Sequence, residues 1–225
     1  MIVENNTLKI ERLQEKDIEL VRQWRNSDDI RNRMIYKEII TPEMQKKWFE
    51  NINNFNNFYF IVHYKNKKVA LSNIKNIDWE ERSGEVGLFV VDKKIRGSML
   101  PVFAPLSMSD FVFDILKLKK LLARIRKDNV KAIKFNKIFG YEIVPGSEDK
   151  ESVYYVLTEE KFRRNTKKLM TLLKTAGYSN KGLTIVMEPV DFETDFGEKM
   201  IKLLDNSDII FDVSKQAGNI VYKKV

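Results

Sequence analysis

The chain has 225 residues, 43% of them apolar and 32% charged, with no cysteine and one histidine. This composition supports a hydrophobic core of ordinary size and excludes disulfides, thiolate chemistry, cysteine zinc sites and multi-histidine metal sites, so no metal is expected. The net charge of +8 favours anionic partners. No run of ~18 apolar residues marks a membrane span and no basic-then-apolar leader opens the sequence, so the expectation is a soluble, cytoplasmic protein without a membrane partner.

Alternation at Leu8, Ile10 and Leu13 predicts a first strand over 7–13. Ile18, Val21, Trp24 and Ile30 recur at helical spacing, with a break near Asn26-Ser27-Asp28. Thr41-Pro42-Glu43 is a helix start, because threonine caps free amides and a proline at the first position lacks the N–H that would go unpaired. Strands follow at 58–63 and 68–77, joined by a turn at 64–67. The nearly all-apolar run from Glu85 to Val91 is expected to be a central strand covered on both faces. A loop over 92–98 leads into a largely helical segment to Leu116, with Pro101 near its start and Pro105 as an irregularity. A strand at 121–125, a helix over 131–139 ended by Gly140, and strands at 141–144 and 153–157 complete the first unit. The tail is expected to form a helix at 159–176, a strand at 183–188, a helix at 192–204 and strands at 209–213 and 219–222. The expected division is a domain over 1–165 and a small α/β extension over 166–225, which fits a cleft cover, a homodimer interface or an interaction module.

Three segments carry a family resemblance: GEVGLFVV at 84–91, the loop and helix at 93–125, and DNVKAIKFNKIFGYEIV at 128–144. With the element order, they resemble the GCN5-related N-acetyltransferase (GNAT) superfamily over about the first 160 residues. The resemblance implies an α/β (α+β) fold, a mixed and mostly antiparallel sheet flanked by helices. It also implies acetyl-CoA as acyl donor and an amine as acceptor. In that family the strand before the loop pairs its backbone with the pantetheine arm, a place that Phe89, Val90 and Val91 match. Arg96, Gly97 and Ser98 match the diphosphate loop, and Asn129 a residue that contacts the cofactor arm. The loop departs from the family pattern at Met99 and Pro101, where small residues are usual; proline offers no amide and methionine obstructs close approach.

Glu85 lies where many members carry the carboxylate that accepts the amine's proton, ahead of the weaker candidates Asp78, Glu80 and Glu81. Asn136 lies where relatives place a tyrosine acid; asparagine is no acid and offers only a hydrogen bond. Residues 20–34 resemble the subgroup of ribosomal-protein N-acetyltransferases and pseudaminic-acid-pathway amino-sugar N-acetyltransferases, most closely at Trp24, Arg25 and Asn26. By that resemblance Trp24 stacks on a base or sugar, and Arg25, Arg31 or Arg33 meets a diphosphate. The implied acceptor is a small amine, in first place a nucleotide-sugar. A protein N-terminus or a non-catalytic binding protein on the same fold are the alternatives. The nine cations between Lys117 and Lys137 accompany no nucleic-acid-reading motif, so no specific nucleic acid is expected. His63 reads as structural.

Overall fold

The computed structural model describes residues 1–5, 8–149, 151–175 and 182–225. Two short strands, β1 (Ile2–Glu4) and β2 (Lys9–Arg12), precede the helices α1 (Ile18–Asn26), α2 (Asp28–Arg31) and α3 (Pro42–Ile52). A meander follows: β3 (Phe58–Tyr64), β4 (Lys67–Asp78) and β5 (Ser83–Val90). Then come α4 (Lys93–Arg96), α5 (Leu100–Ser107), a π-helical turn at Asp110–Ile115, β6 (Lys120–Arg126) and α6 (Val130–Phe139). After β7 (Glu142–Ile143), β8 (Ser152–Thr158) and α7 (Glu159–Thr175), the tail adds β9 (Thr184–Met187), α8 (Phe196–Asp205), β10 (Phe211–Gln216) and β11 (Asn219–Lys224).

Local chemistry explains several boundaries. The Thr41 side chain accepts from the Met44 amide and Pro42 opens α3, as the sequence predicts. Lys65 and Asn66 both have positive φ, 49° and 61°, which gives the β3–β4 hairpin the turn whose twist matches its strands. Gly140 stops α6 at φ 99°, a left-handed conformation that costs glycine least. Pro105 sits inside α5, where its missing N–H leaves one turn unpaired, and the helix gives way to the π-helical turn soon after. The expected helix at 192–204 begins only at Phe196, because Pro189–Phe192 forms a separate 3-10 turn closed by Glu188 and Asp191. Thr7 and Ala176, expected ends of two elements, lie outside the described residues.

The strands form one mixed sheet in the order β10-β11-β9-β1-β2-β3-β4-β5-β6-β8-β7, antiparallel at every pairing except β5 with β6. The tail joins this sheet at β1, and the expected division at residue 165 falls within α7. One face is covered by α1 and α3 over Leu13, Val21, Phe49, Ile61 and Leu71. The other carries the larger core, including Phe58, Phe60, Phe111, Phe139 and Phe196. Arg12 ties strand to tail: it donates to Asp191 at 3.2 Å and to Asn53 at 2.6 Å, with its guanidinium 3.7 Å above the Phe196 ring.

Candidate active site

β5 is a central strand, yet it is not covered on both faces. Val86, Leu88 and Phe89 are only half-buried. The reason lies in its neighbour. β5 and β6 pair only from Ser83–Lys120 to Glu85–Leu122. Beyond Glu85 the two strands part, while β6 stays paired to β8 as far as Arg126–Ser152. The β6-facing edge of β5 from Val86 to Val90 therefore borders a cleft, and its unspent N–H and C=O groups suit an extended, amide-bearing arm.

Register fixes which side chains face this cleft from the α1–α3 side. Tyr59 opposes Asn73, which opposes Gly87; Lys75 opposes Glu85, and Leu71 opposes Phe89. Successive odd positions on each strand share a face. The Lys75 ammonium lies 2.9 Å from the Glu85 carboxylate. Trp24 meets Phe89 edge-on at 6.4 Å, and Trp48 meets Tyr59 edge-on at 5.1 Å. Burial pushes the Tyr59 phenol up to about 12; the Glu85 charge adds to this and Arg25 opposes it. Burial lowers the Arg25 guanidinium, whose Nε is buried without a partner among the described residues. The far wall carries two arginine–aspartate pairs. Arg124 stacks on Tyr154 at 5.7 Å and donates to Asp149 at 2.6 Å, while Arg126 pairs with Asp128 at 2.5 Å and reaches the Met34 carbonyl at 3.5 Å.

Trp24, Arg25, Glu85 and Phe89 are thus brought to one face. Val90 points to the opposite core at 5% exposure, and the Val91 amide donates to Val69. Asn26 does different work from that implied: its carboxamide donates to the Ile40 carbonyl at 2.8 Å and accepts from the Ile40 amide at 2.9 Å, strapping the loop after α2 to α1. Arg31 and Arg33 pair with Asp28 and Asp29. Asp78 accepts from the amides of Glu80 and Glu81, which places it in a turn.

The loop after β5 does not present the expected amides. Gly97 and Ser98 both donate to the Ile95 carbonyl, and the Ser98 hydroxyl accepts from Leu100. The Arg96 guanidinium is held by Asp29 and by the Val91 carbonyl at 3.0 Å, so it joins the end of β5 to α2. Asn129 accepts from the Ala132 amide at 3.1 Å as the cap of α6. Asn136 donates to the Ala132 carbonyl at 2.8 Å within the same helix. Tyr59, Asn73 and Lys75 carry no motif of their own, and Arg124 and Arg126 stood out only as members of the basic run 117–137. The signal for the first three was strand parity with Glu85.

The sequence and the fold that build this cleft have counterparts among known proteins. The model of the acetyltransferase (GNAT) domain matches residues 10–155. The chain belongs to the GNAT acetyltransferase family. The GNAT chain is 30% identical over 149 residues to acetyltransferase PseH of Campylobacter jejuni, covering 65% of this chain and 89% of that protein. Solved GNAT structures share the fold. The apo form of FdhC, a nucleotide-linked sugar GNAT, has a TM-score of 0.62 at 20% identity, covering 76% of this chain and 97% of that one. Spermidine N-acetyltransferase from Vibrio cholerae, in complex with CoA and spermine, has a TM-score of 0.60 at 16% identity, covering 70% of this chain and 99% of that one.

Proposed function

We propose that this acetyltransferase moves an acetyl group from acetyl-CoA to the amine of a nucleotide-linked amino sugar, in the cleft between β5 and β6. The observation that carries the reading is the end of β5–β6 pairing at Glu85, which leaves the edge from Val86 to Val90 free for the cofactor arm. Acetyl-CoA supplies there an activated acyl carbon and a good leaving group. The residues fit its arm. The amides of Gly97 and Ser98 are spent on the Ile95 carbonyl, so the exposed Lys93 and Lys94 of α4 supply the charge for its diphosphate.

On the acceptor face Glu85 takes the proton that the amine loses on attack. Lys75 holds that carboxylate in place. Trp24 offers an aromatic surface beside Phe89. Lys75, Arg124 and Arg126 are each matched by a carboxylate, so among the described residues Arg25 is the cation in excess on the cleft walls, and a positive excess attracts an anionic acceptor. A diphosphate-bearing amine matches this charge, whereas a polyamine is repelled by it. The relative PseH and the neighbour FdhC point the same way.

The test is release of CoA thiol from acetyl-CoA with three acceptors: a UDP-linked 4-amino sugar, spermidine and a peptide with a free N-terminus. Saturable turnover with the sugar, well above the other two, is expected. Faster turnover with spermidine or the peptide overturns the acceptor assignment.

A further inference from the structure

Two residues that suit strands poorly face each other in the middle of the sheet. Asn73 lies within β4 and Gly87 within β5, directly opposed in register. Asparagine is depleted in strands, and an interior glycine weakens a strand unless something must approach its backbone closely. Here the approaching group is the asparagine itself. A Cβ built at Gly87 would stand 2.5 Å from Asn73 Oδ1, closer than any real contact. The carboxamide therefore lies across β5, one row beyond the last β5–β6 pair.

Among the described residues that carboxamide takes no hydrogen-bond partner. Its surroundings are those of the site: Glu85 with Lys75 on one side, Phe89 with Trp24 on the other, and Tyr59 across the row.

We propose that Asn73 is a catalytic residue of the transfer, accepting a hydrogen bond from the acceptor amine while Glu85 takes the amine's proton. This rests on the reading of the β5–β6 cleft as the reaction site. The amine then has one N–H on Asn73 and one on Glu85, which leaves its lone pair aimed at the acyl carbon. The C–N bond forms, the C–S bond breaks with its electron pair passing to sulfur, and one amine proton passes to the Glu85 carboxylate. A neutral amide suits the position, because it orients the amine without stabilising its unreactive ammonium form. A carboxylate in its place would raise the amine's pKa.

Asn73→Ala, Asn73→Asp, Gly87→Ala and the Asn73→Ala/Gly87→Ala double variant test this with acetyl-CoA and the UDP-linked 4-amino sugar. Asn73→Ala is expected to lower kcat/KM for the acceptor by about 10-fold, as for one lost hydrogen bond, with acetyl-CoA affinity by calorimetry unchanged. Asn73→Asp is expected to move the acidic limb of the pH–rate profile to higher pH by about one unit. Gly87→Ala pushes only the end of a flexible side chain, so its loss should match that of Asn73→Ala and vanish in the double variant. Full activity with an unshifted profile in both Asn73 variants overturns the proposal, as does an equal Gly87→Ala loss in both backgrounds. If the wild-type protein binds no acetyl-CoA, the cleft reading itself falls, and the role of Asn73 with it; with binding intact, failure concerns Asn73 alone.

Discussion

Glu85→Gln separates catalysis from structure. The substitution keeps the shape of the side chain and removes its charge. Its cost to stability is modest: the Glu85 side chain is 17% exposed and that of Lys75, 2.9 Å away, 33%, so hydration still reaches the ammonium when its partner turns neutral. Exposed or half-exposed pairs of this kind contribute about 0–1 kcal/mol. Loss of a general base costs about 10²–10⁴-fold in rate, or roughly 3–5 kcal/mol on the barrier. The two effects therefore differ several-fold on one free-energy scale. The assay is kcat/KM for the acceptor against pH, beside thermal unfolding and acetyl-CoA calorimetry. A large rate loss with unchanged cofactor affinity and a melting temperature shifted by a few degrees at most is expected. The Tyr59 phenol gives an internal control, since the Glu85 charge helps to raise it to about 12, and its ultraviolet titration should move down in the variant. A rate within threefold of wild type and an unaltered pH–rate profile would refute the base assignment.

Three other outcomes follow from the same geometry. Asp191→Asn strands Arg12, whose residue is only 7% exposed, without its carboxylate, and should lower the unfolding free energy by about 3–5 kcal/mol in denaturant; a loss under 1 kcal/mol would contradict the pairing. Asn26→Ala frees the loop at Ile40 by removing two hydrogen bonds, so it should raise KM for the acceptor, speed amide exchange around Ile40 and spare acetyl-CoA affinity; unchanged exchange would argue against the strap. Burial lowers His63 below its ordinary 6.5. Burial also opposes the charge on Glu11, but Lys9, Lys16 and His63 outweigh it and hold that carboxyl below its ordinary 4.5. Both groups bind protons more readily in the unfolded chain, so stability is full above about pH 6.5 and falls progressively on acidification; His63→Gln should flatten the upper part of that fall in thermal melts.

Elements governed by local chemistry were legible in the sequence. Thr41-Pro42, the Lys65-Asn66 turn and Gly140 each carry their own conformational instruction, and the apolar run at 85–91 marked a central strand. What remained hidden depends on distant partners. Three-residue β1 carries no pattern of its own and exists because β2 and β9 flank it. Apolar composition at Val86 and Leu88 suggested burial, whereas the early parting of β5 from β6 leaves them at a cleft. Arg96 matched a phosphate-loop position, but its guanidinium is taken by Asp29, 67 residues earlier. Asn26 sat in a substrate-like triplet, and its partner proved to be the Ile40 backbone. The place of Glu85 on the cleft strand was legible by motif; that of Asn73 was not, because it is set by the glycine opposite.

Amide hydrogen exchange along β5, with and without acetyl-CoA, tests the central claim most directly. Acetyl-CoA should slow exchange among the amides of Val86 to Val90 that face the β5–β6 cleft, since the cofactor arm would occupy the edge that β6 leaves free. Binding of acetyl-CoA with β5 exchange unchanged, or protection confined to another part of the sheet, would contradict the placement of the reaction in this cleft.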